Sequence, residues 1–210
     1  MPFERARSAD AKQLREDAIL RSATDLALAR GIRDVTLTDI AAGVGMHKST
    51  MLRYFETREE IFLRLARTGW PEWAAAVVAE LQLSDNAAEI LASTLVARPL
   101  FCELLAHVPL NLERGVSAAA VKDFKVAAIT AADDVATALQ QTAGIDLPAA
   151  GNVVATATAM AGALWQMAAP GTELRKLYES DPDLAHAIVD VEPRLTDILT
   201  ALLTGYTSQR

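Results

Sequence analysis

An all-α fold, with a small N-terminal helical unit joined to a larger helical one, follows from three observations. Apolar residues recur at helical spacing from residue 11 nearly to the end, strand-like alternation is absent, and the charge balance changes sign near residue 70. Residues 1–70 hold 12 Lys and Arg against 10 Asp and Glu, and residues 71–210 hold 8 against 17. The net charge of −7 therefore belongs to the second part, and a division into residues 1–68 and 69–210 is predicted.

A chain of 210 residues with 51% hydrophobic and 22% charged residues can bury a sizeable core and is not disordered. Its single cysteine, Cys102, excludes an intrachain disulfide and a cysteine-based zinc cluster, and suits a reducing compartment. The first residues lack the apolar stretch of a signal peptide, and the Ala-rich run 153–169 is too short and small-sided for a membrane span. A cytoplasmic chain with no membrane partner is expected.

Residues 11–30 contain neither Gly nor Pro, and Leu14, Ala18, Ile19, Ala23 and Leu26 define an amphipathic first helix. Gly31, directly after Arg30, reads as a left-handed stop. Thr36 and Asp39 have capping-box spacing, so a short second helix starts near Leu37 and ends at Gly43-Val44-Gly45. A third helix is predicted over 47–55, with Met51, Leu52 and Phe55 able to face inward. Thr57 and Glu60 repeat the capping-box spacing and open a long fourth helix, in which Pro71 predicts a kink or break near Gly69 and Trp70. Beyond it, helices are expected at 72–82, 86–97, 99–107, 117–143, 148–168 and 192–205, with short pieces near 172–179 and 183–189.

Two short helices across a glycine turn are compatible with a helix-turn-helix, whose second helix enters the major groove of DNA with its N-terminal residues. His47, Lys48, Ser49 and Thr50 crowd the first turn of the third helix, Arg53 follows one turn later, and Arg58 lies just past its end. Hydroxyls and cations there can meet phosphates or base edges. The same residues would also suit the solvated face of a small helical bundle.

The run Ile40-Ala41-Ala42-Gly43-Val44-Gly45-Met46-His47-Lys48-Ser49-Thr50-Met51-Leu52-Arg53-Tyr54-Phe55, with Thr57-Arg58-Glu59-Glu60 behind it, resembles the signature of the tetracycline-repressor (TetR) family of regulators. Upstream, Ile19-Leu20, Ala23, Leu26, Gly31 and Val35-Thr36 sit where that family has like residues, so the resemblance covers about residues 15–65. It implies an N-terminal three-helix DNA-binding domain with a helix-turn-helix, followed by a larger helical ligand-binding and dimerisation domain. It also implies base or phosphate contacts for Thr36, Thr38, His47, Lys48, Ser49, Thr50, Arg53, Tyr54 and Arg58, with Lys48 and Arg58 foremost, and packing roles for Met46, Met51 and Phe55. Three positions depart from the pattern. Its tyrosine is Leu52 here, which leaves Tyr54 or Arg53 to carry that contact; its glycine is Ser49; its lysine is Arg58, which keeps the charge.

The implied partners are double-stranded operator DNA, a second copy of the chain and an unidentified small-molecule effector. The implied activity is that of a ligand-responsive regulator, by family habit a repressor released by an apolar or amphipathic molecule. The small-residue segment 153–165 allows a tight helix-helix seam with Leu195, Ile198, Leu199, Leu202 and Leu203, either between copies or as an intrachain core. Phe101, Cys102, His107, Phe124, Met160, Trp165 and Gln166, polar or aromatic groups within apolar helices, are the candidates for an effector pocket.

Catalysis finds no support. The three histidines, His47, His107 and His186, lie far apart in sequence, and no zinc-protease motif or phosphate-binding Gly loop occurs. No cofactor or metal is expected. A helical interaction module without DNA binding is the alternative reading, prompted by Leu52 in place of tyrosine.

Overall fold

A computed structural model describes residues 2–168 and 173–208. Ten α-helices make up the described chain, with 3₁₀ turns at Ile32–Asp34 and Pro182–Ala187 and a π-helical turn at Val108–Leu112. We number the helices α1 (Pro2–Arg30), α2 (Leu37–Gly43), α3 (Lys48–Met51), α4 (Arg58–Leu81), α5 (Ala87–Val96), α6 (Pro99–His107), α7 (Ala118–Ala143), α8 (Leu147–Ala168), α9 (Glu173–Ser180) and α10 (Val191–Thr207). Among the described residues there is no strand.

The caps are where the side-chain chemistry puts them. Thr36 accepts from the Asp39 amide, and the Asp39 carboxylate accepts from the Thr36 amide at 2.8 Å, so the predicted capping box opens α2. At α4, Thr57 accepts from the Glu60 amide at 3.1 Å, but Glu60 reaches back to the amide of Glu56 rather than to that of Thr57. The regular part of α3 is shorter than predicted, because after Met51 the chain tightens into turns of the 3₁₀ kind, Arg53 N–H to Thr50 and Tyr54 N–H to Met51.

Two apolar clusters form. One joins Ile19, Ala23, Ile32, Val35, Ile40, Met51, Phe55 and the first half of α4 to Leu104, Val108, Leu112 and Phe124. The other gathers the second half of α4 with α5 and the inner faces of α7, α8 and α10. The break predicted at Gly69 and Trp70 does not occur, since α4 runs unbroken through Pro71. Pro71 and Arg67, whose carbonyl loses its usual helical donor to the proline, are both exposed residues of α4. Buried packing on either side, by Phe62, Leu63 and Ala66 and then by Trp73, Ala74 and Val77, holds the helix together across the proline.

The seam residues mostly belong to the intrachain core. Leu195 and Leu199 are fully buried against α8, as are Val153, Ala157 and Ala161 on the facing helix. By length and composition 147–167 could cross a membrane, but half of it is buried inside the protein.

Helix α6 is wedged between α4 and α8 at two glycines. A Cβ on Gly69 would stand 2.6 Å from the Phe101 ring, and one on Gly162 would stand 2.8 Å from the Ala106 backbone nitrogen. A ring can turn aside, but a helix backbone cannot. Gly162→Ala is therefore expected to lower stability in denaturant unfolding by about 1–3 kcal/mol, the usual cost of overpacking. Gly151→Ala on the same helix, where nothing lies within 4 Å, should instead stabilise by roughly 0.5–1 kcal/mol.

Candidate nucleic-acid interface and effector cavity

α2, the turn at Gly45 and α3 present one polar surface. Gly45 has φ 66°, a left-handed value that lets the chain reverse between the helices without a side-chain clash. Thr38, His47, Lys48, Ser49 and Arg53 are exposed, Thr50 and Tyr54 half-buried. Met51 and Phe55 are fully buried beneath them, and Met46 is partly buried, so the packing residues anchor α3 while its first turn stays open. Lys48 has no ion-pair partner among the described residues.

Two of the predicted contact residues have other occupations. The Thr36 hydroxyl donates to Asp39 at 2.7 Å while accepting from its amide, which makes Thr36 a cap. The Thr36 hydroxyl and amide, with the Arg30 guanidinium 2.7 Å away, hold the Asp39 carboxyl below the ordinary carboxylate range. Arg58, expected to lie against phosphate, is turned inward. Its Nε donates to the Val35 carbonyl, one terminal nitrogen to the Ile32 carbonyl and the other to Glu59 at 2.9 Å, and the guanidinium stacks 5.0 Å over Phe62. A lysine could not make this fork, so the Lys-to-Arg departure turns a surface cation into a clamp on the turn that precedes α2.

Sequence reasoning missed a contribution from α1. Arg15 donates to the Tyr54 hydroxyl at 3.1 Å, and Lys12, Arg15, Arg53 and Tyr54 line an open notch beside α3. Lys12 pairs with Glu16 at 3.6 Å. These cations are far from α3 in sequence, and only the α1 packing brings them together. Leu52, in place of the pattern's tyrosine, is 47% exposed, and its neighbour Arg53 is exposed as well.

In the second part of the molecule a cavity of about 420 Å³ lies among α4, α6, α7 and α8. Its walls are apolar, with Trp70, Phe101, Leu105, Phe124, Ile129 and Val154 prominent, and Lys125 and Glu113 form a 2.5 Å ion pair among its lining residues. Of the predicted pocket residues, Phe101 and Phe124 line it and the others do not. Cys102 is buried in the core, donates to the Leu95 carbonyl, and burial pushes its thiol up to about 12. Met160 and Trp165 pack against the core from outside, and Gln166 is exposed. Those residues lie outside the lining of this cavity. Trp70 was legible only as part of the expected kink or break, and no local pattern marks Lys125.

His107 is buried on the other side of α6, with Nδ1 lacking a hydrogen-bond partner. Its Nε2 is 4.0 Å from Glu103 Oε1, which already accepts from the Ile32 amide at 2.5 Å. Burial, with the charges of Arg33 and Arg58, holds the His107 pKa below its ordinary 6.5. Burial raises the Glu103 carboxyl, against the Ile32 hydrogen bond.

Comparison with known proteins supplies independent findings. Residues 19–65 match the family model described as bacterial regulatory proteins, tetR family, and residues 68–210 match the tetracyclin repressor-like C-terminal domain. The fold is shared with the fatty acid degradation regulator FadR from Bacillus halodurans, at TM-score 0.60 and 14% identity over 90% of this chain and 95% of that one. It is shared as well with a TetR/AcrR transcriptional regulator from Thermobifida fusca, at TM-score 0.54 and 16% identity over 91% and 98%. No curated protein sequence matches the chain.

Two measurements follow. Arg58→Ala should lose about 1.5–3 kcal/mol of stability, the range for hydrogen bonds to a charged group, whereas Lys48→Ala should leave the unfolding midpoint unchanged. Because the folded pKa of His107 is depressed, the unfolded chain takes up the proton first as pH falls. Wild-type stability relative to His107→Gln should then be level above pH 6.5 and decline below it. A difference independent of pH would show that His107 titrates alike in both states.

Proposed function

The chain belongs to the TetR family of DNA-binding transcriptional regulators, and on that premise we propose that it is a cytoplasmic, non-catalytic, homodimeric repressor released from its operator by an apolar or amphipathic small molecule. The observation that carries the reading is the pairing of two surfaces in one chain. An exposed, cationic helix start stands on a buried Met51 and Phe55, and an apolar cavity of about 420 Å³ opens against the same long helix, α4.

The DNA-facing unit is assigned to residues 1–68 and the effector and dimerisation unit to 69–210. Lys48, His47, Ser49 and Thr50 would enter the major groove from the start of α3, with Thr38, Arg53 and Tyr54 on flanking phosphates and Arg15 holding the Tyr54 hydroxyl in place. Exposed Leu52 offers an apolar contact, such as a thymine methyl accepts. Thr36 and Arg58 act at one remove, by fixing where α2 and α4 begin.

A second copy would dock on α8 and α10. Asn152, Ala163 and Met167 on α8, and Ala201 and Gly205 on α10, remain exposed after the intrachain core is complete. Small residues there permit close approach of a two-fold related copy, and a single helix-turn-helix buries too little DNA to be selective alone. The effector would occupy the cavity beside Trp70, its apolar body against Phe101, Leu105 and Val154 and any polar end at Lys125 or Glu113.

The test uses the full chain and DNA from beside its own coding region. A footprint over a pseudo-palindrome with half-sites a whole number of helical turns apart is expected, with a dimer in sedimentation. Lys48→Ala should weaken specific and nonspecific binding together and reduce the salt slope by about one. Full affinity and an unaltered slope in that variant would remove α3 from the groove.

A further inference from the structure

Helix α6 and the turn that continues it stand between the cavity and the N-terminal cluster, and Val108 and Phe124 belong to both. Phe101, Leu105 and Val108, the last in the π-helical turn that continues α6, line the effector cavity. Glu103, Leu104 and His107 turn toward the N-terminal cluster, where Leu104 packs with Ile32 and Phe124. Glu103 Oε1 accepts the Ile32 amide at 2.5 Å across 71 residues of sequence. Among the described residues this is the only hydrogen bond or ion pair between the chain before α4 and the chain after it.

The turn that receives it is built around the contact. Gly31 has φ 83° and ψ 151°, a region essentially confined to glycine, and a Cβ there would stand 3.2 Å from Glu103 Oε1. At the other end of the same residue, in the next peptide group, the Ile32 carbonyl accepts from Arg58. Val35, whose carbonyl takes the other arm of Arg58, is followed at once by Thr36, the N-cap of α2. One carboxylate from the effector side and one guanidinium from α4 thus grip the turn that launches the helix-turn-helix.

We propose that Glu103 is a positioning residue for DNA binding, and that its bond to the Ile32 amide is the latch through which occupancy of the cavity is felt by the helix-turn-helix. The proposal rests on the regulator reading above and adds its route. An occupant pressing on Phe101, Leu105 and Val108 shifts α6, which Gly69 and Gly162 confine closely on two sides. Displacement of α6 is then felt at its contact with the 3₁₀ turn, and a hydrogen bond weakens steeply once its geometry is lost. Small displacement of α6 then releases α2 and α3 from a single arrangement, which is the differential contact that an effector needs in order to shift an equilibrium.

The experiment uses the full chain, without any effector, and reads both amide exchange at Ile32 and affinity for operator DNA. Glu103→Ala removes the acceptor and should raise Ile32 exchange at least tenfold and weaken operator binding about tenfold. Glu103→Gln keeps a carbonyl acceptor and should restore most of both, an outcome that a generally loosened fold would not give. Filling the cavity from either wall, with Ala155→Phe on α8 or Ala128→Phe on α7, should raise Ile32 exchange in the wild-type background. The same fillings should add little in Glu103→Ala. Unchanged exchange in Glu103→Ala, or no response of Ile32 to either filled cavity, overturns the latch. Failure of the wild type to bind any DNA overturns the regulator reading instead, while the exchange measurements still judge the mechanical link.

Discussion

A single helix of 24 residues, α4, has to bury one face in two different apolar clusters, and the rest of the molecule is arranged around that requirement. Its first half supplies Ile61, Phe62 and Leu63 to the cluster beneath the helix-turn-helix, and its second half supplies Trp73, Val77 and Leu81 to the larger one. Buried aromatic and aliphatic side chains contribute on the order of 1.5–3 kcal/mol each, enough to carry the helix through Pro71. The two units are consequently joined by a packed helix rather than by a linker, so displacement on one side has a mechanical path to the other.

Around this rod the polar groups are few and placed where the backbone needs partners. Arg58 satisfies two carbonyls of the turn before α2, Asp39 and Thr36 satisfy the first amides of α2, and Glu103 takes the Ile32 amide. Each sits at a point where regular helix stops and backbone groups lack a helical partner. The residues that face solvent on α3 are free of such duties, which is what leaves them available to a ligand as polar as DNA. The acidic balance of residues 71–210 suits this division of labour, because it keeps the body of the molecule from competing for phosphate.

The cavity follows from the way α6 is held. Gly69 and Gly162 let it approach α4 and α8 closely, while the aromatic group of Trp70, Trp73 and Phe101, in edge-to-face contacts at 5.7 Å, stands along one wall. The void is closed on its other sides by α7 and α8. Trp73 anchors its own polar end through Thr94 at 3.1 Å, so the wall is stiff behind the cavity. The pocket residues named from chemistry alone, Cys102, Met160, Trp165 and Gln166, belong to the same helices or their neighbours but point elsewhere.

Much was legible in the sequence because it is written in local rules. Helical periodicity, the Thr36/Asp39 box, the Thr57 cap and the glycine turn at 45 all act within a few residues of one another, and the structure keeps them as read; Gly31 does end α1 at positive φ, but with ψ 151° rather than the left-handed helical value expected. What only the tertiary structure decided are questions of facing and of partners distant along the chain. They include Arg58 turned inward instead of outward, Arg15 brought beside Tyr54, and Leu195 and Leu199 spent on the intrachain core. They also include Glu103 seated on the Ile32 amide and the continuity of α4 through a proline. The physical reason is that a side chain's type sets what it can bond to, whereas the group it meets depends on helix packing, which joins residues far apart in sequence and leaves no local mark on any of them.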